Sequence, residues 1–243
     1  MDKSKVMVFR KGGYLAAKER WFWGDQKLEV VNTYKYLGLI FSTGHSFTAA
    51  MEDITIRTKK GTIEILRTLK KIGCNSPVIF FKLFDAQIAP TLLYAAAIWG
   101  YKIYEQIERV HLFACKRFLH VRNKIPNDVV YGELGCYPLF VPATVRFVKY
   151  WLKLLRQTDN LYSKESYKML LIMQNNMGSY IRSVLCYNGF EQVWLFGCGN
   201  DKIFFNELKE RLYSSFCHGW WNRLESSERL AVYKGHKNCF EKE

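Results

Sequence analysis

The helical part of the fold is set by the stretch YKIYEQIERVHLFACKRFLHV, residues 101–121. Its apolar residues recur every three or four positions and form one stripe: Ile103, Ile107, Val110, Ala114 and Phe118. Its charged residues lie off that stripe: Glu105, Glu108, Arg109 and Lys116. This periodicity is typical of an amphipathic α-helix that buries one face. The stretch therefore predicts a long helix packed on a core.

Weaker patterns of the same kind predict helices on both sides of this stretch. On the N-terminal side they cover 47–72, 78–89 and 91–99, with Gly73 as a stop and Pro90 as a start. In the first of these, Ile56, Ile63 and Leu66 are predicted to share the buried face. On the C-terminal side they cover 127–134, which ends at Gly135, and then 142–156, 164–176, 180–187, 202–224 and 227–242.

The first 45 residues have a pattern typical of strands and turns and not of helices. Short β-branched and aromatic runs at 6–10, 20–23, 28–31 and 34–41 alternate with Gly-containing turns such as Gly24-Asp25, which is typical of small antiparallel sheets. The predicted fold class is α+β, with a small N-terminal antiparallel sheet followed by helices. Three segments are predicted: the sheet at 1–45, a basic helical domain at 46–158, and a C-terminal helical region at 159–243.

Composition limits the class of protein. Hydrophobic residues make up 49% of the chain and aromatic residues 16%, which is enough for a packed core. No uncharged apolar run approaches the ~20 residues of a membrane-spanning helix, and the N-terminus lacks an apolar signal core. Seven cysteines at irregular spacing are typical of reduced thiols in an intracellular protein. We therefore expect a location in the nucleus or cytoplasm and no membrane partner.

Charge is the most informative bulk property. The net charge is +14, and it is uneven along the chain, at +7 for residues 1–73, +6 for 74–157 and +1 for 158–243. An excess of lysine and arginine confined to one part of a chain indicates a polyanionic partner. RNA or DNA, bound through its backbone with little sequence preference, is the expected partner. A surface charged only for solubility is the alternative.

Several short motifs, in order, give a family resemblance. Residues 2–10 (DKSKVMVFR) resemble motif D of non-LTR (LINE-type) retrotransposon reverse transcriptases, and 34–38 (YKYLG) resemble motif E, the primer grip. Residues 107–111 with 115–119 resemble the thumb helix of that family, and 131–135 with Pro138-Leu139 resemble the segment after it. The resemblance implies that the chain comprises the end of the palm, the thumb and a following helical region.

The resemblance also implies that catalytic residues are missing. In this family the palm supplies aspartates, one pair of them from a Phe/Tyr-x-Asp-Asp turn, to hold the Mg²⁺ ions used in polymerisation. The adjacent acidic pair of this chain is Glu52-Asp53, on a predicted helix. We therefore expect a truncated or fragmentary reverse transcriptase that is no enzyme on its own and holds no cofactor, although the complete polymerases use Mg²⁺.

The N-terminal motifs carry two candidate sites. By resemblance, Lys3 or Lys5 would lie near the phosphates of an incoming nucleotide, where a lysine can neutralise the leaving pyrophosphate. In a fragment, both are expected to be exposed strand-edge lysines. By resemblance, Tyr36, Leu37 and Gly38 would form the primer grip, where a glycine lets backbone amides approach a phosphate. The alternative for Gly38 is a β-bulge.

Two rows of cations are the candidate nucleic-acid-binding residues. Arg146, Lys149, Lys153 and Arg156 are spaced by three, four and three, so they share one helical face. A second row comprises Arg57, Lys60, Arg67 and Lys71, with Lys59 and Lys70 nearby. Such rows can follow phosphates along a duplex. A solvated helix face is the alternative for both.

Other chemistry has weaker support. Cys217-His218 and His236 with Cys239 suggest zinc, but adjacent ligands on a helix diverge and no C-x₂-C pair is present. Cys115 and His111 are one helical turn apart and could touch, yet no orienting acid or oxyanion signature supports a hydrolase. A final alternative is a transposon-derived helical module that binds a protein through apolar surface normally covered by the palm.

Overall fold

A computed structural model describes residues 4–9, 19–44, 46–158, 162–172, 176–199, 201–237 and 240. Contacts divide the chain into two compact units, Met1–Arg57 and Thr58–Glu243, and each is described by itself. Helix α1 begins in the first unit and ends in the second. The segment boundaries at 45/46 and 158/159 stay a prediction.

The N-terminal unit contains short strands in three pairs. Strands β1 (Lys5–Val6) and β4 (Glu29–Val30) pair in parallel, whereas β2 (Phe22–Trp23) with β3 (Gln26–Lys27), and β5 (Thr33–Tyr36) with β6 (Leu39–Ser42), are antiparallel. The α+β class is confirmed, but in place of a single antiparallel sheet the described residues form three two-stranded pieces.

The stretch 34–41 was predicted as one strand and is instead a hairpin. Leu37 and Gly38 form its two-residue turn with φ of +46° and +83°, and Tyr36 pairs with Leu39. Two successive positive φ values are typical of a type I′ turn, whose twist matches that of the strands. The prediction was wrong because leucine rarely adopts this conformation. Gly38 therefore serves a turn, and the bulge interpretation is wrong.

Helix α1 (Thr48–Lys71) buries a different face from the predicted one. Ile56 and Ile63 are 63% and 38% exposed. The buried positions are instead Ala50, Met51, Ile54, Thr55, Thr58, Thr62, Ile65 and Leu69. Three of them are threonines, which an apolar periodicity does not count. Burial is tolerated at Thr62 because its hydroxyl donates to the Thr58 carbonyl, 2.9 Å away.

The described residues of the second unit form helices joined by turns and loops, with no β-strand among them. Its first helices after α1 are α2 (Pro77–Gln87), α3 (Ala89–Leu92), α4 (Ala96–Trp99), α5 (Glu105–Phe118), α6 (Asn127–Leu134) and α7 (Phe140–Leu155). The predicted helix 91–99 is interrupted, because Ala95 adopts φ +55° between α3 and α4. Helix α6 ends as predicted, with Gly135 in the left-handed conformation.

Helix α5 buries most of its predicted stripe, but it also buries Lys116, which was predicted to lie off the stripe and whose ammonium donates to the Asn123 carbonyl at 3.0 Å. Ile107, Val110 and Ala114 are buried, and Phe118 stacks on Phe80 with ring centroids 4.5 Å apart. Ile103, in contrast, precedes the helix and is 58% exposed. Acidic residues occupy the first turn and basic residues the last, which suits the helix dipole.

The remaining helices are α8 (Tyr162–Ile172), α9 (Asn176–Tyr187), α10 (Glu191–Phe196), α11 (Lys202–Ser226), a 3₁₀ turn (Glu228–Leu230) and α12 (Ala231–His236). Of these, α8 to α11 contribute to the core around α7, whereas the 3₁₀ turn and α12 contact α11. Phe147 and Trp151 of α7 are buried in one cluster with Ile181, Leu185 and Leu208. None of the described helices has the length and apolar character needed to cross a bilayer.

A long-range clamp holds the start of α6. The indole Nε1 of Trp220, which is buried, donates to the carbonyl of Asp128 at 2.8 Å. Arg223 Nη2 contacts the Asp128 carboxylate at 2.8 Å. Tyr233 on α12 donates to Glu133 at 2.9 Å. Helices α11 and α12 therefore complete the environment of a helix that precedes them by about ninety residues in the chain.

Candidate nucleic-acid interface

Helix α7 carries an exposed face that is entirely cationic. Its sequence, FVPATVRFVKYWLKLL, contains no acidic residue. The buried side comprises Val141, Phe147, Val148, Trp151 and Leu152. The four predicted cations, Arg146, Lys149, Lys153 and Arg156, are all exposed; Arg156 directly follows the last residue of α7 and has helical backbone angles. The predicted row is therefore present as one solvent-facing surface, called here the α7 basic face.

The four cations of the α7 basic face differ in how they are held. Arg146 Nη1 donates to the carbonyl of Leu93 at 2.9 Å, so its guanidinium is held at the end of α3. Lys149 Nζ lies 5.8 Å from the centroid of the Phe205 ring. Among the described residues, Lys149, Lys153 and Arg156 make no salt bridge. Their charge is therefore not neutralised by a neighbouring carboxylate.

In the row on α1, some cations are paired with carboxylates of the described residues and others are not. Arg57, in the N-terminal unit, makes a salt bridge with Asp53 at 2.8 Å. In the second unit, Lys60, Arg67 and Lys71 are exposed. Arg67 contacts Glu64 at 2.7 Å, with both side chains about 70% exposed, and such a surface pair is weak enough for a phosphate to replace it.

A groove in the second unit adds Arg117 to two cations of the α1 row. It lies between the end of α1 and the end of α5 and has a volume of about 610 Å³. Arg67, Lys70 and Arg117 line it, and its lining includes no acidic residue. Arg117 also lies over the Phe113 ring, 5.6 Å from its centroid. Lys116-Arg117 was visible in the thumb-like motif, but only the packing shows which of the two faces α1.

The N-terminal candidate residues have ordinary structural roles where they are described. Lys3 lies outside the described residues. Lys5 makes a salt bridge with Glu29 at 2.9 Å across the parallel pair β1–β4. Tyr36 and Leu37 are 58% and 73% exposed at the hairpin tip, next to Gly38. Their roles near a nucleotide or a primer stay predictions.

A buried polar centre fixes the arrangement of α5, α6 and α7. The Glu108 carboxylate accepts hydrogen bonds from the Tyr131 hydroxyl and the Leu139 amide, each at 2.7 Å. It also contacts His111 Nδ1 at 2.7 Å. Burial opposes ionisation of Glu108, but His111 and these hydrogen bonds lower its pKa. One carboxylate thus links three helices.

The groups around His111 are electrostatically coupled. Burial disfavours charge on this imidazole, but the Glu108 carboxylate beside it and a hydrogen bond with Cys136 raise its pKa to about 10. Burial raises the pKa of the Cys115 thiol. A hydrogen bond with Cys115, supported by His111, lowers the pKa of the Cys136 thiol. The predicted proximity of His111 and Cys115 is present, and Cys136, the second residue after α6, joins them.

The other cysteine and histidine candidates that the structure describes do not form a group of three potential metal ligands. Cys217 Sγ lies 4.0 Å from the Tyr137 hydroxyl, while His218 and His236 are exposed. Cys239 lies outside the described residues. Within the part of the chain that is described, the group of three potential metal ligands is His111, Cys115 and Cys136.

Comparison with known proteins gives a similarity to a retrotransposon-encoded protein. The chain is 25% identical over 174 residues to a 115 kDa protein of the type-1 retrotransposable element R1DM from Drosophila melanogaster. The matched region covers 68% of this chain and 17% of that protein, so the chain spans a small part of its relative. No protein-family model matches the chain, and no solved structure matches it. The similarity supports an origin in a non-LTR retrotransposon.

Proposed function

We propose that this chain is part of a non-LTR reverse transcriptase, the end of the palm with the thumb. We further propose that it binds the backbone of RNA or DNA duplexes through the α7 basic face. The observation that carries this proposal is an exposed helical face with four cations and no acidic residue. No cation of that face makes a salt bridge with a carboxylate of the described residues, so the face can bind phosphates.

The dimensions of the face suit a duplex. The ten-residue interval from Arg146 to Arg156 spans about 15 Å at the rise of an α-helix. One strand of B-form DNA presents about four phosphates over that axial length. Because Arg146 is tied to the Leu93 carbonyl, we expect Lys149, Lys153 and Arg156 to make most of the phosphate contacts.

Two independent sequence observations support the reverse-transcriptase part of the proposal. The palm-like and thumb-like motifs occur in the family's order and at similar spacing. The similarity to a retrotransposon-encoded protein also covers most of the chain. Neither depends on net charge, so together they favour a polymerase fragment over an unrelated basic protein.

Polymerisation is proposed to need residues beyond this chain. A pair of Mg²⁺ ions requires several open carboxylates. The adjacent acidic pair, Glu52-Asp53, does not fit this requirement, because Asp53 lies 2.8 Å from Arg57 and 3.2 Å from Lys35. A carboxylate that already contacts two cations is a poor metal ligand. The chain alone is therefore proposed to lack polymerase activity.

Fluorescence anisotropy of labelled duplexes tests the proposal. The full chain is titrated into an RNA–DNA primer–template duplex and a B-form DNA duplex across a series of salt concentrations. We expect affinity to fall steeply with salt and to depend little on sequence. In the variant Lys149→Gln/Lys153→Gln/Arg156→Gln, the slope of log K against log salt should decrease by about 2.7 for B-form DNA, since each lost phosphate contact removes about 0.9.

A charge-matched control separates a binding face from general attraction. Arg109→Gln/Arg229→Gln/Lys234→Gln removes the same charge from exposed or half-buried positions on other helices. It should change the slope by much less than the α7 variant. Equal effects of the two variants would mean that the α7 basic face is not the binding surface. Affinity that does not vary with salt would contradict backbone binding altogether.

A protein-interaction module is the second candidate function. The observation in its favour is a group of exposed apolar side chains where α1 ends and α2 begins: Ile72 at 65%, Val78 at 50% and Ile79 at 44%. Such a patch can bind a partner or a second copy of the chain. Size-exclusion chromatography with light scattering tests self-association, which Ile72→Ser/Val78→Ser should abolish. A monomeric chain that binds duplexes would favour the first function.

A further inference from the structure

Three residues with soft metal ligands meet inside the second unit. His111 and Cys115 lie on α5, and Cys136 follows Gly135 at the end of α6. One ligand atom from each lies within 4.8 Å of the other two. The side chains are almost inaccessible, with exposures of 3%, 0% and 6%. The cluster is therefore a closed group and not a chance meeting of surface residues.

The local backbone explains why the three residues converge. Residues 111 and 115 are four apart on α5, so their side chains share one face of that helix. Gly135 adopts φ +53° and turns the chain out of α6, and the Cys136 amide then donates to the Tyr131 carbonyl at 3.2 Å. These constraints place the second sulfur opposite the first.

The imidazole is oriented toward the two sulfurs. Its Nδ1 lies 2.7 Å from Glu108 Oε1, and Glu108 is fixed in turn by Tyr131 and the Leu139 amide. With Nδ1 bound to a carboxylate, Nε2 is the nitrogen that faces the thiols. A carboxylate behind a histidine is the usual outer support of a metal-binding imidazole.

We propose that His111 Nε2, Cys115 Sγ and Cys136 Sγ bind one Zn²⁺ ion as a buried structural centre that joins α5 to the α6–α7 junction. Two sulfurs and one imidazole favour Zn²⁺ over Mg²⁺ or Ca²⁺, which select oxygen. Zn–S bonds of ~2.3 Å in a tetrahedron place two sulfurs ~3.8 Å apart, so the cluster must contract by about 1 Å or less. The site does not depend on the proposed nucleic-acid binding.

Charge balance also supports the site. On binding, the two thiols and the His111 Nε2 each lose a proton to solvent, so Zn²⁺ with two thiolates has no net charge and His111 becomes a neutral ligand that still donates from Nδ1 to Glu108. A neutral centre avoids the large cost of burying an isolated ion. Three protein ligands leave the fourth position of the tetrahedron for a small exogenous ligand. Because the site is enclosed, its role is inferred to be structural and not catalytic.

The test uses the full chain, purified with a reducing agent and a chelator and then titrated with Co²⁺ and Zn²⁺. We expect one metal ion per chain by elemental analysis, a thiolate-to-metal charge-transfer band with Co²⁺, and loss of that band when Zn²⁺ is added. X-ray absorption of the zinc-loaded wild-type chain should show two sulfur neighbours and at least one nitrogen. This last measurement requires no variant to fold.

Variants assign the ligands. Cys115→Ser and Cys136→Ser should each weaken metal binding by more than 10-fold, whereas Cys74→Ser and Cys198→Ser, at half-buried and exposed positions, should leave it unchanged. Tyr131→Phe, which removes one support of Glu108, should weaken it by about 10-fold if it acts as such outer-shell residues do. The proposal is overturned if the folded, reduced wild-type chain binds no Zn²⁺, or if Cys136→Ser retains full affinity. Mass spectrometry that finds a Cys115–Cys136 disulfide in the freshly isolated chain would also overturn it.

Discussion

Replacing Glu108 with glutamine should destabilise the second unit strongly, although the two side chains have nearly the same shape. The carboxylate accepts from Tyr131 and Leu139 at 2.7 Å and contacts His111 at the same distance. A glutamine at this position would have a single acceptor oxygen. Whichever way the amide is turned, its NH₂ group would face a donor, either the Leu139 amide or the pair formed by Tyr131 and His111.

The expected magnitude follows from the burial of these groups. Each hydrogen bond to a charged group contributes about 1.5–3 kcal/mol. Removing one partner of a buried charged pair typically costs about 3–5 kcal/mol, because the other partner is left without compensation. We therefore expect Glu108→Gln to lower the free energy of unfolding by about 3–5 kcal/mol, which is a large part of the stability of an ordinary domain.

Urea denaturation followed by far-UV circular dichroism, with chelator present, measures this loss. Glu105→Gln is the matched control, because Glu105 is one turn earlier on the same helix. Its side chain is 79% exposed and pairs with Arg109 at 3.0 Å, so its replacement should cost about 0.5 kcal/mol or less. If both variants unfold at the same urea concentration, the buried centre does not hold the three helices together.

Three further perturbations test other parts of the structure. Gly132→Ala should lower the free energy of unfolding by about 1–3 kcal/mol, since the new Cβ would overlap the Tyr233 hydroxyl and lie 2.8 Å from Trp220 Cζ2. In the same urea assay the control Gly235→Ala should be neutral, because nothing lies within 4 Å of its new Cβ. Leu37→Asn should stabilise the β5–β6 hairpin by roughly 1 kcal/mol, because asparagine adopts the left-handed conformation more readily than leucine. The gain should be seen as slower amide exchange over 33–42, and an equal gain in Leu37→Ala would show that left-handed strain is not the cause. Lys70→Gln/Arg117→Gln should lower the salt slope of B-form DNA binding by about 1.8 if the groove contacts two phosphates, and an unchanged slope would place the duplex elsewhere.

Sequence periodicity predicted best where burial follows apolar character alone. Helix α6 and its Gly135 stop agree with the prediction residue for residue, because a left-handed glycine is a local signal. Periodicity failed on α1, because Thr58 and Thr62 occupy buried positions that a pattern of apolar residues does not include. It also failed at Leu37 and Ala95, whose left-handed backbone is imposed by their surroundings and not by their own preference.

The part of the candidate interface that follows from helix geometry was predictable from the sequence. Spacing alone placed Arg146, Lys149, Lys153 and Arg156 on one exposed face, since a helix fixes the direction of its side chains. That Arg146 is held by the Leu93 carbonyl, 53 residues earlier, required the tertiary structure. Cys136 was likewise invisible as a partner of His111, because no local rule connects the end of α6 to the middle of α5.

The clamp on α6 has a consequence for the order in which the protein is assembled on the ribosome. Trp220 and Asp128 are 92 positions apart, so at 5–20 residues per second roughly 5–20 s of synthesis separate them. During that interval the side of α6 that will receive Trp220 is uncovered in the nascent chain. We expect ribosome-bound intermediates that stall before residue 220 to be captured by chaperones, and release of that capture to coincide with emergence of α11 from the exit tunnel.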